Sequence, residues 1–292
     1  MSTEENYDRI SYETRQRFWN VIEGPMVVHL VLAFTVLLIL VPIGWMAITS
    51  FKGAQGAFIA GYLPAEFTLD PYERVLIENN YWRSVVNSIV ISTTTTFLVL
   101  LFSVPAGYAF SRFRFPFDNV IFIGVIFSRL FPPIGIIIPY FQGIAALNLI
   151  NTVPGIIIAQ VYLWLPLMIY IMRNFFISIP EEIDESALVD GCTQFQAFRR
   201  IVLPLAMPGI ASVGILTFLY SWREFLFSFM ISSTTASKPI SVAVFDFVGE
   251  VNVSWEMISA AGVVAIIPTV LVVIFFQQYI VTGLTSGALK GS

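Results

Sequence analysis

The chain has 292 residues, 57% of them hydrophobic and 12% charged, with a mean hydropathy of +0.81 and a formal net charge of −4. This apolar share exceeds the roughly 45–50% of soluble domains, so a bilayer is the expected solvent, and the absence of a long basic run removes the usual footprint of nucleic-acid binding. One cysteine, Cys192, and one histidine, His29, exclude an intrachain disulfide, a Cys-only zinc site and a His-based metal cluster.

Residues 1–25 are polar and acid-rich, without the basic-then-apolar order of a signal peptide, and read as a retained tail. A helix needs about 20 mainly apolar residues to cross a hydrocarbon core of about 30 Å. Residues 26–48 meet that need, with His29 as the sole titratable group, expected to be packed rather than to relay protons. An external loop, 49–83, leads to a second span near 84–108. The hydroxyl run at 92–96 within it is expected to bond to its own helix carbonyls or to a neighbouring helix, with a polar pathway as the alternative. From Asp118 to Arg173 only Arg129 is charged between the ends, too long a stretch for one crossing; a split at 147–152 gives spans near 120–145 and 153–172. Spans near 205–230 and 257–281 complete a predicted six, with a membrane domain over 84–282 and a tail over 283–292.

Orientation follows from the cations. With the N-terminus inside, the cytoplasmic segments carry Arg9, Arg15, Arg17, Arg112, Arg114, Arg173, Arg199, Arg200 and Lys290, and the outer ones only Lys52, Arg74, Arg83 and Lys238. Both termini are therefore expected in the cytoplasm. The outer segments 52–83 and 232–256 are longer than turns require and are either partner surfaces or simple caps.

The segment 178–204 is the polar exception. Glu181, Glu182, Asp184, Glu185 and Asp190 crowd its first half, where a helix dipole favours acids. Ser178 and Glu181 have capping-box spacing, Pro180 suits a first turn, and Gly191 is a good terminator. Thr193 and Gln196 repeat the capping spacing for a second short helix that shows Phe195, Phe198 and Val202 on one side and ends near Arg199, Arg200 and Pro204. The prediction is a helix–turn–helix on the cytoplasmic surface. Its apolar face either packs on its own bundle or docks a soluble partner.

Glu185, Ser186 and Ala187, then Gly191 after Leu188, Val189 and Asp190, then Ile201, Leu203 and Pro204 nine residues on, resemble the cytoplasmic-loop signature of ABC importer permeases, with Ser186 for the usual first alanine. The stretches AGYAFSRFRFP (106–116), SRLFPPIGIIIPYF (128–141) and SWREFLF (221–227) are similar to the carbohydrate-uptake branch, and 277–292 to the C-terminal tail of its maltose-type second permease subunit. In SWREFLF, Arg223 stands where that pattern reads asparagine.

The resemblance implies an all-α, type I importer permease fold in a prokaryotic inner membrane. It implies a second permease subunit as heterodimer partner, two cytoplasmic ATPase subunits that use the ATP, and an extracytoplasmic sugar-binding protein. Glu185 and Gly191 would shape the loop, Ala187 and Leu188 would contact an ATPase, and Gly283, Leu284 and Lys290 of the tail are further candidates for that contact.

Arg129, Arg223 and Glu224 fall within or near predicted spans, where a central arginine costs about 2.5–3.5 kcal/mol on insertion scales. They line a pathway, snorkel, or pair with each other as Arg223 and Glu224. Arg129 is the stronger pathway candidate because Pro132, Pro133 and Pro139 interrupt the helix after it. No P-loop motif occurs: the three lysines precede Gly53, Pro239 and Gly291. The chain is therefore expected to be a transport subunit without its own ATPase site, cofactor or metal. The alternatives are a permease for a non-sugar solute such as a polyamine, and an ion-coupled carrier, for which Glu224 is the one clear carboxylate.

Overall fold

A computed structural model describes residues 24–53, 66–248 and 253–285. Helix α1 (Pro25–Thr49) is apolar all round, and Leu30, Phe34, Leu37 and Val41 lie exposed along it, as suits a helix in lipid. His29 is exposed rather than packed, its ring nitrogen against the Pro25 carbonyl. A single turn, α2 (Asp70–Glu73), precedes α3 (Tyr81–Arg112).

The helices α3 and α6 (Val153–Ser178) form the most extensive pair in the fold. Gly107 lets them close: a Cβ there would lie 2.6 Å from that of Met172. Val99, Val104, Tyr108, Met168, Met172 and Phe176 bury one core between them. Ser84, Ser88, Ser92, Thr95 and Ser103 line the buried side of α3, small residues that permit close approach of neighbouring helices. Thr96 donates back to the Ser92 carbonyl at 2.7 Å, as the hydroxyl run predicted, while the buried Ser92 and Thr95 hydroxyls have no partner among the described residues.

The predicted span at 120–145 is two helices, α4 (Asp118–Phe127) and α5 (Pro133–Ala146). Pro132 is extended (φ −62°, ψ 129°), and Pro133 opens α5 at a position where its missing N–H breaks no bond. The predicted span at 205–230 is likewise broken. Helix α10 (Met207–Trp222) stops at Arg223, and α11 (Leu226–Ile231) starts afresh. Between α6 and α10 lie α7 (Glu182–Val189), α8 (Gln194–Ala197) and α9 (Leu203–Leu205), α8 and α9 joined by a π-helical turn over Phe198–Val202.

At one end of the bundle, α12 (Ile240–Ala243) and the start of α13 (Trp255–Thr285) pack on Tyr81 and Trp222. Ile240 N–H donates to Ser88 Oγ at 2.7 Å, and Arg74 lies 3.8 Å from Glu256, tying both predicted outer segments together. Residues 54–65 and 249–252 of those segments lie outside the described residues, as do 1–23 and 286–292 of the two tails. Among the described residues, α1, α3, α6 and α13 are each long and apolar enough to cross a bilayer, and 194–205 meets α10 at 71°.

Gly107→Leu is expected to disrupt the α3–α6 crossing, so that size-exclusion chromatography in detergent shows aggregate. Gly124→Leu, at a position with open space around it, is expected to keep a monodisperse peak.

Candidate functional site

The polar segment folds as two short helices held against the ends of α3 and α6. Helix α7 starts without a side-chain cap. Ser178, expected to supply one, ends α6 instead, its hydroxyl donating to the Phe175 carbonyl at 2.6 Å. The α7 end follows the expectation: Gly191 adopts φ +87°, its N–H bonds the Leu188 carbonyl, and Cys192 N–H bonds the Ala187 carbonyl, both at 3.0 Å. This Schellman arrangement needs a left-handed residue, which glycine adopts without strain. The next capping box is also formed, with Gln196 N–H donating to Thr193 Oγ1 at 3.3 Å and Thr193 N–H donating to Gln196 Oε1 at 2.8 Å.

The structure separates Asp184 from the other carboxylates. Glu181, Glu182, Glu185 and Asp190 are exposed, whereas Asp184 is 5% exposed. Tyr108 Oη donates to its Oδ1 at 2.7 Å and Arg112 Nε donates to its Oδ2 at 2.8 Å. Arg112 Nη2 also donates to the Ile179 carbonyl at 2.8 Å, and Gln194 Nε2 donates to Tyr108 Oη at 3.1 Å. The Tyr108 ring packs on Phe176 and Phe198, with centroids at 5.5 and 4.5 Å. One face of α3 therefore grips α6, α7, α8 and the turn that follows. Tyr108 and Arg112 are four apart at the end of an apolar span, the spacing that puts two residues on one helix face and the signal that reading the loop alone misses.

Ala187, expected beside Leu188 on a contact face, is 3% exposed and packs inward. The exposed apolar residues are Leu188, Val189 (87%) and Phe195 (67%), while Phe198 and Val202 turn towards the core. Glu185 and Ser186 are exposed, Ile201 and Leu203 half-buried, and Pro204 exposed. Gly283 and Leu284 lie in the last turn of α13, and Lys290 lies outside the described residues.

Away from the loop, Glu224 and Arg223 do not pair. Glu224 is buried: Oε1 accepts from Phe227 N–H at 2.8 Å, and Oε2 accepts from Ser228 N–H at 3.0 Å and Ser228 Oγ–H at 2.6 Å. It caps α11, and that explains how the chain restarts a helix there. Gln160 bridges this knot to Ser221 and Ser228. Three accepted hydrogen bonds make this carboxylate part of the helix start.

Arg223 points the other way, 4.8 Å from the Tyr220 ring centre. Tyr220 stacks on Trp164 at 4.9 Å and 24°, and the Arg129 guanidinium lies 5.0 Å from the Trp164 ring on the break between α4 and α5. The four residues make a ladder, cation–ring–ring–cation. Each cation–π contact contributes about 0.5–2 kcal/mol, which offsets part of placing an arginine in a membrane. Phe131 and Pro133 border a recess beside Arg129, with Pro132 exposed next to them.

The family model described as "Binding-protein-dependent transport system inner membrane component" matches residues 102–286. The chain belongs to that family. It is 32% identical to the trehalose transport system permease protein SugB of Mycobacterium tuberculosis, over 95% of this chain and 98% of that one. It is 33% identical to the trehalose/maltose transport system permease protein MalG of Thermococcus litoralis, over 86% and 92%. A crystal structure of a bacterial ABC transporter involved in the import of the acidic polysaccharide alginate contains a chain with TM-score 0.76 and 25% identity, covering 89% of this permease and 97% of that chain. The resemblance read from the loop signature holds: the chain is a permease subunit of the carbohydrate-uptake branch.

Breaking a buried ion pair from one side costs about 3–5 kcal/mol, because the surviving charge stays desolvated. Arg112→Leu in the permease is therefore expected to destabilise the segment 182–205 more than R112L combined with D184L. Amide hydrogen exchange over that segment reads the difference; a double variant that exchanges faster than the single one would contradict it.

Proposed function

We propose that this permease forms half of the membrane pathway of an ATP-driven carbohydrate importer and docks α7–α8 onto a cytoplasmic ATPase subunit. The observation that carries the docking is a rigidly held surface pair with Leu188 and Val189 exposed at the end of α7, Phe195 exposed on α8, and none of the three used by the chain's own core. Glu185 and Gly191 shape the pair, and Asp184 fixes it to α3. In this reading the chain spans the inner membrane six times, the third and fifth crossings being the broken pairs α4–α5 and α10–α11, with both termini in the cytoplasm. The excess of Lys and Arg in the segments so assigned to the cytoplasm supports that orientation.

A second permease subunit supplies the other half of the path, two ATPase subunits bind and hydrolyse the ATP, and an extracytoplasmic binding protein delivers the sugar to the end where Arg74 meets Glu256. The cargoes named for the similar proteins run from trehalose and maltose to an acidic polysaccharide, which supports carbohydrate and leaves its charge to be read from this chain's own residues. An ion-coupled carrier is disfavoured because Glu224 already accepts three hydrogen bonds.

The test is the double substitution V189E/F195E in the complete importer. Expected is normal membrane insertion with loss of ATPase co-purification and of sugar uptake. A complex that retains its ATPase and transports at the wild-type rate would refute the docking face.

A further inference from the structure

We propose that Arg129 and Arg223, held by Trp164 and Tyr220, form an anion-selective contact for the cargo, so that this permease carries an acidic carbohydrate. The inference rests on the importer reading above and adds the chemical class of the cargo. The four side chains come from separate parts of the fold: the break after α4, the middle of α6, the end of α10 and the turn that follows it. Trp164 lies 11 residues from Val153 and 14 from Ser178, about 16 and 21 Å from the two ends of α6 at 1.5 Å per residue. The ladder therefore sits near mid-bilayer. Two cations at that depth face the bundle interior or a water-filled path, where such groups are tolerated.

The surroundings leave both cations available. Among the described residues no carboxylate lies within 4.0 Å of either guanidinium, in contrast to Arg112, whose partner is Asp184. Glu224, the nearest acid in sequence, is committed to the start of α11. Neither guanidinium donates a hydrogen bond to another described residue. Their planar faces are oriented by the rings, and their N–H edges remain free for a carboxylate, sulfonate or phosphate, which a guanidinium binds in bidentate fashion. The indole Nε1–H of Trp164 is buried and has no acceptor among the described residues. Two like charges at the ends of one short stack repel each other, and an anion near their N–H edges relieves that repulsion. A neutral sugar needs no such pair.

The test uses the complete importer in liposomes and a panel of uronate, sulfonate and phosphate sugars, each beside its neutral parent. The wild type is expected to import an acidic member. Arg129→Gln and Arg223→Asn are each expected to lower its uptake about ten-fold or more, the effect of losing a charge-assisted hydrogen bond, while binding-protein affinity stays constant and Arg129→Lys retains part of the rate. A wild type that imports only neutral sugars would overturn the proposal. So would variants that slow acidic and neutral cargo equally, the outcome expected if the arginines pair with the second permease subunit. Import of no sugar at all would instead overturn the carbohydrate reading on which this one stands.

Discussion

A carboxylate inside a protein is stable only where donors replace its water, and Asp184 has two, Tyr108 Oη and Arg112 Nε. The rest of the architecture at this end of the bundle depends on this contact. Arg112 also takes the Ile179 carbonyl, so the corner between α6 and α7 is fixed from α3. Tyr108 takes Gln194 and packs on Phe198, so α8 and its following turn are fixed from the same helix. With the inner side of the pair so held, Leu188, Val189 and Phe195 are left outward. A force applied there reaches α3 through a short ion pair and an aromatic contact rather than through a flexible loop.

Much of this was legible in the sequence, and the part that was not has a common cause. Gly191 and the Thr193–Gln196 box were readable because each depends on residues within a few positions. Apolar segments were readable because burial in lipid leaves its mark on composition. The partner of Asp184 lies 72 residues away and that of Phe198 lies 90 away, on α3, and no local pattern separates Asp184 from its exposed neighbours. Ser178 failed as a cap for a related reason: α6 extends through it, since its last turn packs Phe176 into the core. Ala187 turned inward because the helix face that carries Asp184 must point to α3, and a residue three positions on shares that face.

The two breaks within apolar stretches show how proline and a single acid shape helices in a bilayer. At Pro132–Pro133 the chain loses helical backbone and gains a bend, with Arg129 in the turn between α4 and α5. At Arg223–Phe225 the new helix exposes N–H groups, and Glu224 satisfies two of them. Consecutive residues point to different sides of a helix end. Arg223 and Glu224 therefore serve unlike purposes, one turned to an aromatic stack and the other closed inside the bundle.

The surface pair and α3 are expected to move as one body. Spin labels at V189C and L101C, both on exposed positions, in a C192S background of the complete importer would measure it by pulsed electron resonance. Expected is one narrow distance distribution, identical in the nucleotide-free and ATP-bound states, that broadens when Asp184 is replaced by Asn. A separation that changes between the two states with Asp184 intact would show instead that the pair moves independently of α3.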